Sequence, residues 1–197
     1  MTSPTAESGR AVSLLFVQGA GEGAHEEDAA LAVELGRCLG PGFSICFPRL
    51  PDEADPDSDA WKRAIVAEAR RTGAILVVAH SAGAAMTADL LAEGRLGTDL
   101  PGLRGLFLLA PPFVGAGGWR LDGFHFDRAR PIAPPGLTIR FYFGSADAIV
   151  PPGHADLFEP VFPGARITRL AGCGHQFTGY LHHVAEDIRA TQAASDA

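Results

Sequence analysis

The chain has 197 residues, 47% of them hydrophobic, with 24 glycines and 15 prolines; that is enough apolar material for one sizeable core and excludes intrinsic disorder. Sixteen basic residues, a single lysine (Lys62) among them, face 23 acidic ones for a formal charge of −7. This balance, without a basic patch interleaved with aromatics, excludes nucleic acid and anionic membrane surfaces as expected partners.

Short apolar runs alternate with loops rich in glycine and proline and with helix-like segments. The N-terminal MTSPTAESGR has no apolar stretch, so no secretory signal is expected and residues 1–10 read as a flexible tail. The first run, Val12–Val17, leads into VQGAGEGAH (17–25) and a helix over 28–38. The second, Phe43–Phe47, ends at Pro48-Arg49 and the acidic DEADPDSD (52–59), whose last residues, Ser58 and Asp59, suit the start of a helix over 59–71. The third, Ala74–Ala79, runs directly into a helix over 82–93. Leu106–Leu109 is followed by residues 110–135, a long segment rich in Gly, Pro and aromatics, expected to lie as a loop over the site. Leu137–Phe143 precedes GSADAIVPP and a short helix near 154–159; Ile167–Leu170 precedes AGCGH and a last helix over 177–189.

Most of these runs are continuously apolar, as expected of parallel strands covered by helices on both faces. The alternation predicts one α/β layered domain over residues 1–197. The longest uncharged run, Gly105–Trp119, is too short to span a bilayer and is broken by Pro111 and Pro112. Three cysteines, Cys38, Cys46 and Cys173, are too few for a disulfide scaffold; reduced thiols in a cytoplasmic protein are expected.

The segment AILVVAHSAGAAMTADLL (74–91) places Ser81 on a strand–turn–helix junction, Ala79-His80-Ser81-Ala82-Gly83. A sharp turn that exposes a serine needs tiny residues two positions before and after it, and Ala79 and Gly83 meet that demand. The plainer reading is a small-residue turn that only starts a helix. A serine nucleophile needs a base and a group to orient it, in the order Ser, acid, His on such a sheet. Asp147 and His175 follow the fifth and sixth runs, so both project at the same sheet edge as Ser81. Each could instead be a simple loop residue. His80, beside the serine, is expected to orient the turn; His25, His125, His154 and the adjacent His182 and His183 are weaker candidates, and no metal site is expected. An oxyanion would need two fixed donors, assigned to the backbone N–H groups of Ala82 and Ala20.

Gly19-x-Gly21-x-x-Ala24 also fits a dinucleotide fingerprint, with Arg49 as a counterion for a 2′-phosphate, so NADP binding is an alternative. The acidic run Asp52, Glu53, Asp55, Asp57, Asp59 fails as a calcium loop, because Ala60 and Val66 stand where glycine and glutamate are required; it reads as a solvated helix entrance. Cys173 reads as a buried small thiol. Phe113, Trp119, Phe124 and Phe126 could line an acyl pocket or pack against the sheet.

Taken with QGAGEGAHEED, AHSAG, LFLLAPPF, GSADAIVPP and GCGHQF, the chain resembles small serine hydrolases of the α/β-hydrolase superfamily. It is most similar to the compact group related to retinoblastoma-binding protein nine. The resemblance implies a three-layer α/β-hydrolase fold of about six mostly parallel strands with no large cap domain. It also implies a triad of Ser81, Asp147 and His175, no cofactor, and a small acyl compound as substrate. Gln18 departs from the histidine common before the first-loop glycine, and Ala79 from the first glycine of the turn. A non-catalytic binding module on the same fold is the alternative from a different class.

Overall fold

A computed structural model describes residues 11–120, 126 and 133–195. The expected tail (1–10) and most of the central part of the 110–135 loop, with Phe124 and His125, lie outside the described residues.

Six parallel strands form one sheet: β1 (Val12–Val17), β2 (Phe43–Cys46), β3 (Leu76–His80), β4 (Gly105–Leu109), β5 (Thr138–Gly144) and β6 (Arg166–Leu170). Their spatial order is β2-β1-β3-β4-β5-β6, so the chain reverses direction across the sheet after β2. The helices are α1 (Ala24–Leu39), α2 (Ser58–Thr72), α3 (Ser81–Ala92), α4 (Arg95–Asp99), α5 (His154–Phe158) and α6 (Leu181–Ser195).

The continuous apolar character of the strands has a direct cause. Successive side chains point to opposite faces, and each face carries its own buried layer. Leu15, Val17, Val77, Ala79, Leu106, Leu108, Phe141 and Phe143 pack with Trp61 and Ile65 of α2 and with α3 and α5. Leu14, Phe16, Leu76, Val78, Phe107, Leu109 and Tyr142 pack with Leu31 and Leu35 of α1 and Val184 and Ile188 of α6. This is the three-layer architecture expected.

Local chemistry sets the helix ends. Asp57, one residue earlier than expected, caps α2 by accepting from Ala60 N–H at 2.7 Å. Gly73 closes that helix in the left-handed conformation. The short α4 has no counterpart among the helices the sequence predicts, and α6 starts at Leu181, after a turn. Among the described residues no helix is long and apolar enough to cross a membrane.

Candidate active site

β3 ends at His80, and Ser81 opens α3 with φ 50°. A left-handed non-glycine residue costs about 1–2 kcal/mol, and persists only where its surroundings fix it. The fixing contact is the close approach of α3 to the end of β1. A Cβ on Gly83 would lie 2.2 Å from the Gln18 carbonyl oxygen and 2.7 Å from Val17 Cγ1. Ala79 is fully buried, in register between Val17 and Leu108.

The loops after β5 and β6 bring Asp147 and His175 to Ser81. They are stitched together: Ser145 N–H donates to Leu170 O, Ala146 N–H to Cys173 O at 2.9 Å, and Gly172 N–H to Ser145 Oγ at 2.8 Å. Gly144 permits this contact, since a Cβ there would sit 2.2 Å from Cys173 O. His175 Nδ1 lies 2.8 Å from Asp147 Oδ2, and His175 Nε2 lies 3.1 Å from Ser81 Oγ. A carboxylate only accepts, so Nδ1 carries the proton and Nε2 is left to accept from the serine hydroxyl. The other Asp147 oxygen accepts the N–H groups of Ile149 and Val150, both at 2.8 Å. Burial opposes ionisation of Asp147, but the His175 bond and those two amides outweigh it and hold the carboxyl below its ordinary value.

A cleft of about 380 Å³ opens beside Ser81, lined by Gly19, Ala20, Ala24, Glu27, Asp28, His80, Ile149, His175 and Gln176. The β1–α1 loop on its wall is pinned at alternate amides. Gly19 N–H donates to Asp28 Oδ2 at 2.7 Å, Gly21 N–H to Glu53 O, and Gly23 and His25 N–H to the Glu53 carboxylate. Ala20 falls between two satisfied amides. Ala82 is in the first helical turn, where an N–H has no intrahelical acceptor. Among the described residues neither N–H is matched to a protein acceptor.

Gln18, the departure noted in the first loop, is fully buried and braces it. Its Nε2 donates to Glu53 Oε2 at 2.7 Å, and its Oε1 accepts from Leu50 N–H at 3.0 Å. Glu53 is therefore no part of a merely solvated helix entrance. The Gln18 bond, against the opposing effect of burial, and the His25 and Gly23 amides with Arg49 hold its carboxyl below the ordinary value. These contacts also undercut the dinucleotide alternative. The loop amides that would cradle a phosphate are taken by Glu53, and Arg49 pairs with Glu26 and Glu53.

The remaining candidates are placed elsewhere. Neither Phe113 nor Trp119 is among the residues lining the Ser81 cleft. Phe113 is 3% exposed and packs on Phe126 and Phe158; Trp119 meets His154 edge-on. The physical reason is a short bridge between Val114 and Trp119, with Trp119 N–H donating to Phe113 O, which folds this stretch onto α5. His154 Nδ1 accepts from Phe113 N–H at 2.9 Å, and burial pushes its basicity down. His25 stacks on Phe47. Among the described residues no group of three or more His, Cys, Asp or Glu is placed to hold a metal ion. Cys173 is buried, and burial, with Asp147 nearby, pushes its thiol up to about 11. Asp28, which no motif in the sequence singles out, is 1% exposed and faces His80.

No family model and no curated protein matches the chain. Solved structures do. Esterase 2 of Thermogutta terrifontis, phosphonylated by cyclosarin, is similar at TM-score 0.64 and 15% identity, over 93% of this chain and 84% of that one. XC6422 from Xanthomonas campestris, an α/β serine hydrolase without lid, is similar at 0.60 and 18%, over 95% and 84%. An α/β serine hydrolase homologue from Coxiella burnetii is similar at 0.56 and 15%, over 91% and 85%. With its six-stranded parallel sheet and helices on both faces, the chain has the α/β-hydrolase fold, without a lid domain among the described residues.

Proposed function

We propose that the protein is a serine hydrolase that cleaves a small carboxylic ester or related acyl compound through an acyl-enzyme. The observation that carries this reading is the unbroken chain Ser81 Oγ, His175, Asp147, at 3.1 and 2.8 Å, beside an open cleft. His175 Nε2 takes the Ser81 proton as Oγ attacks the acyl carbon, and the charged ring is stabilised by Asp147. The tetrahedral oxyanion is received by the N–H groups of Ala20 and Ala82. His175 then protonates the leaving alkoxide. Water, deprotonated by the same ring, releases the acid and restores Ser81.

The esterases and serine hydrolases among the structural neighbours support the same class. The free thiols Cys38, Cys46 and Cys173 fit a reducing, cytoplasmic setting. A series of p-nitrophenyl esters of increasing acyl length tests the reading. Short acyl esters are expected to be hydrolysed best, with activity lost in Ser81→Ala. Absence of turnover across the series by folded protein favours the non-catalytic module, and a clear preference for long chains contradicts the small-acyl assignment.

A further inference from the structure

We propose that Asp28 and His80 form a second carboxylate–histidine pair, buried and with its ring as the imidazolium, whose task is to hold three active-site loops in register. Both side chains are closed to solvent, at 2% and 1% exposure. His80 Nδ1 lies 2.9 Å from both Asp28 oxygens, and His80 Nε2 lies 3.0 Å from the backbone carbonyl oxygen of His175. Asp28 Oδ2 also accepts the Gly19 N–H at 2.7 Å.

The His175 carbonyl oxygen can only accept, so His80 Nε2 donates to it. Facing an ionised Asp28, Nδ1 donates as well, which makes the ring the imidazolium of the proposed pair. The rings that face it are that of His175, at 4.8 Å between centroids, and the edge of Phe177, at 6.4 Å. His80 precedes Ser81 in the chain, so the pair ties the serine turn to two other places. One is the backbone of His175; the other is Gly19, the residue before the proposed oxyanion donor Ala20. Neither Asp28 nor His80 bonds to Ser81 Oγ or to the His175 ring nitrogens, and both are positioning residues.

The proposal rests on the Ser81 reading for its kinetic consequence and on the ring's two donors for its structural one, so two measurements separate them. Wild type, Asp28→Ala and Asp28→Asn are titrated with a fluorophosphonate to count active sites, then assayed on p-nitrophenyl acetate. Asparagine can still accept from Gly19 N–H and donate to a neutral His80, whose Nε2–H still reaches His175. In Asp28→Ala, kcat per titrated site is expected to fall about 100-fold with KM within about threefold; Asp28→Asn recovers most of that loss. Wild-type kcat per titrated site in Asp28→Ala is what a merely structural role would give. That result, or equal impairment of the two variants, overturns the proposal.

Nitrogen-15 spectra of the wild-type ring provide the second measurement, which does not depend on either variant folding. Two protonated ring nitrogens on His80 at about pH 7 are expected; a single ring N–H overturns the pair. If wild type neither hydrolyses esters nor takes the probe, the proposed function fails, while the ring spectra still decide the Asp28–His80 pair.

Discussion

Substituting alanine for Gly83 adds a single methyl group where the sheet edge has no space for it. Its Cβ would stand 2.2 Å from the Gln18 carbonyl oxygen, against an ordinary contact of about 3.4 Å, so backbone must move by about 1 Å. Overpacking of this kind costs about 1–3 kcal/mol, or a Tm lower by roughly 2–4 °C per kcal/mol in a chain of this size. The atom that must yield belongs to the peptide leading into Gly19 and Ala20, so the proposed oxyanion donor moves with it. A displacement near 1 Å lowers kcat by about 100-fold. Gly153→Ala is the matched control: Gly153 has φ −62°, and its added Cβ would have no neighbour within 4 Å. Thermal melting and ester kinetics on both variants are the assays. If Gly83→Ala melts with wild type and keeps its kcat, the close-approach reasoning is refuted.

Asp147→Asn should lower kcat by about 10³–10⁴-fold, because the amide no longer fixes the His175 tautomer. The native carboxyl is held below its ordinary value, so its contribution to stability is full above the unfolded value near 4 and is lost as pH falls through the folded one. The stability gap between wild type and Asp147→Asn, measured by urea unfolding, should therefore close on acidification; a gap that widens contradicts the assignment. Glu53→Ala leaves the Gly23 and His25 amides without their acceptor and Gln18 Nε2 with only its 3.4 Å contact to Gly19 O, and kcat should fall about 10-fold as the loop loosens, read from ester kinetics. Unchanged kinetics would remove Glu53 from the support of that loop. Cys173, buried with its thiol pushed up to about 11, should resist iodoacetamide at neutral pH in the native state and react once the chain is unfolded. Rapid native labelling would contradict the burial.

Most of the sheet is legible in the sequence because its signals are local. The six apolar runs are strands whose two faces feed separate buried layers, so continuous hydrophobicity and strand position coincide. Ser81 is legible for the same reason: the small residues of its turn are neighbours in the chain. Asp147 and His175 follow from chain order and from the loops they occupy. What escaped are residues whose meaning lies in distant partners. Asp28 resembles any acidic residue near a helix start, yet its partner His80 is 52 positions away. Glu53 sits in a run of acids that reads as solvated, and only the folded chain brings it to Gln18, 35 positions earlier. Phe113 is held in the core in the same non-local way, by His154, 41 positions later, and by the ring of Phe158.

The most direct test of the central claim is where a fluorophosphonate attaches. One adduct per folded chain is expected, located on Ser81 by peptide mass spectrometry and absent after denaturation, in Ser81→Ala and in His175→Ala. Stoichiometric labelling of another residue, or a folded wild-type protein that takes no label, would contradict it.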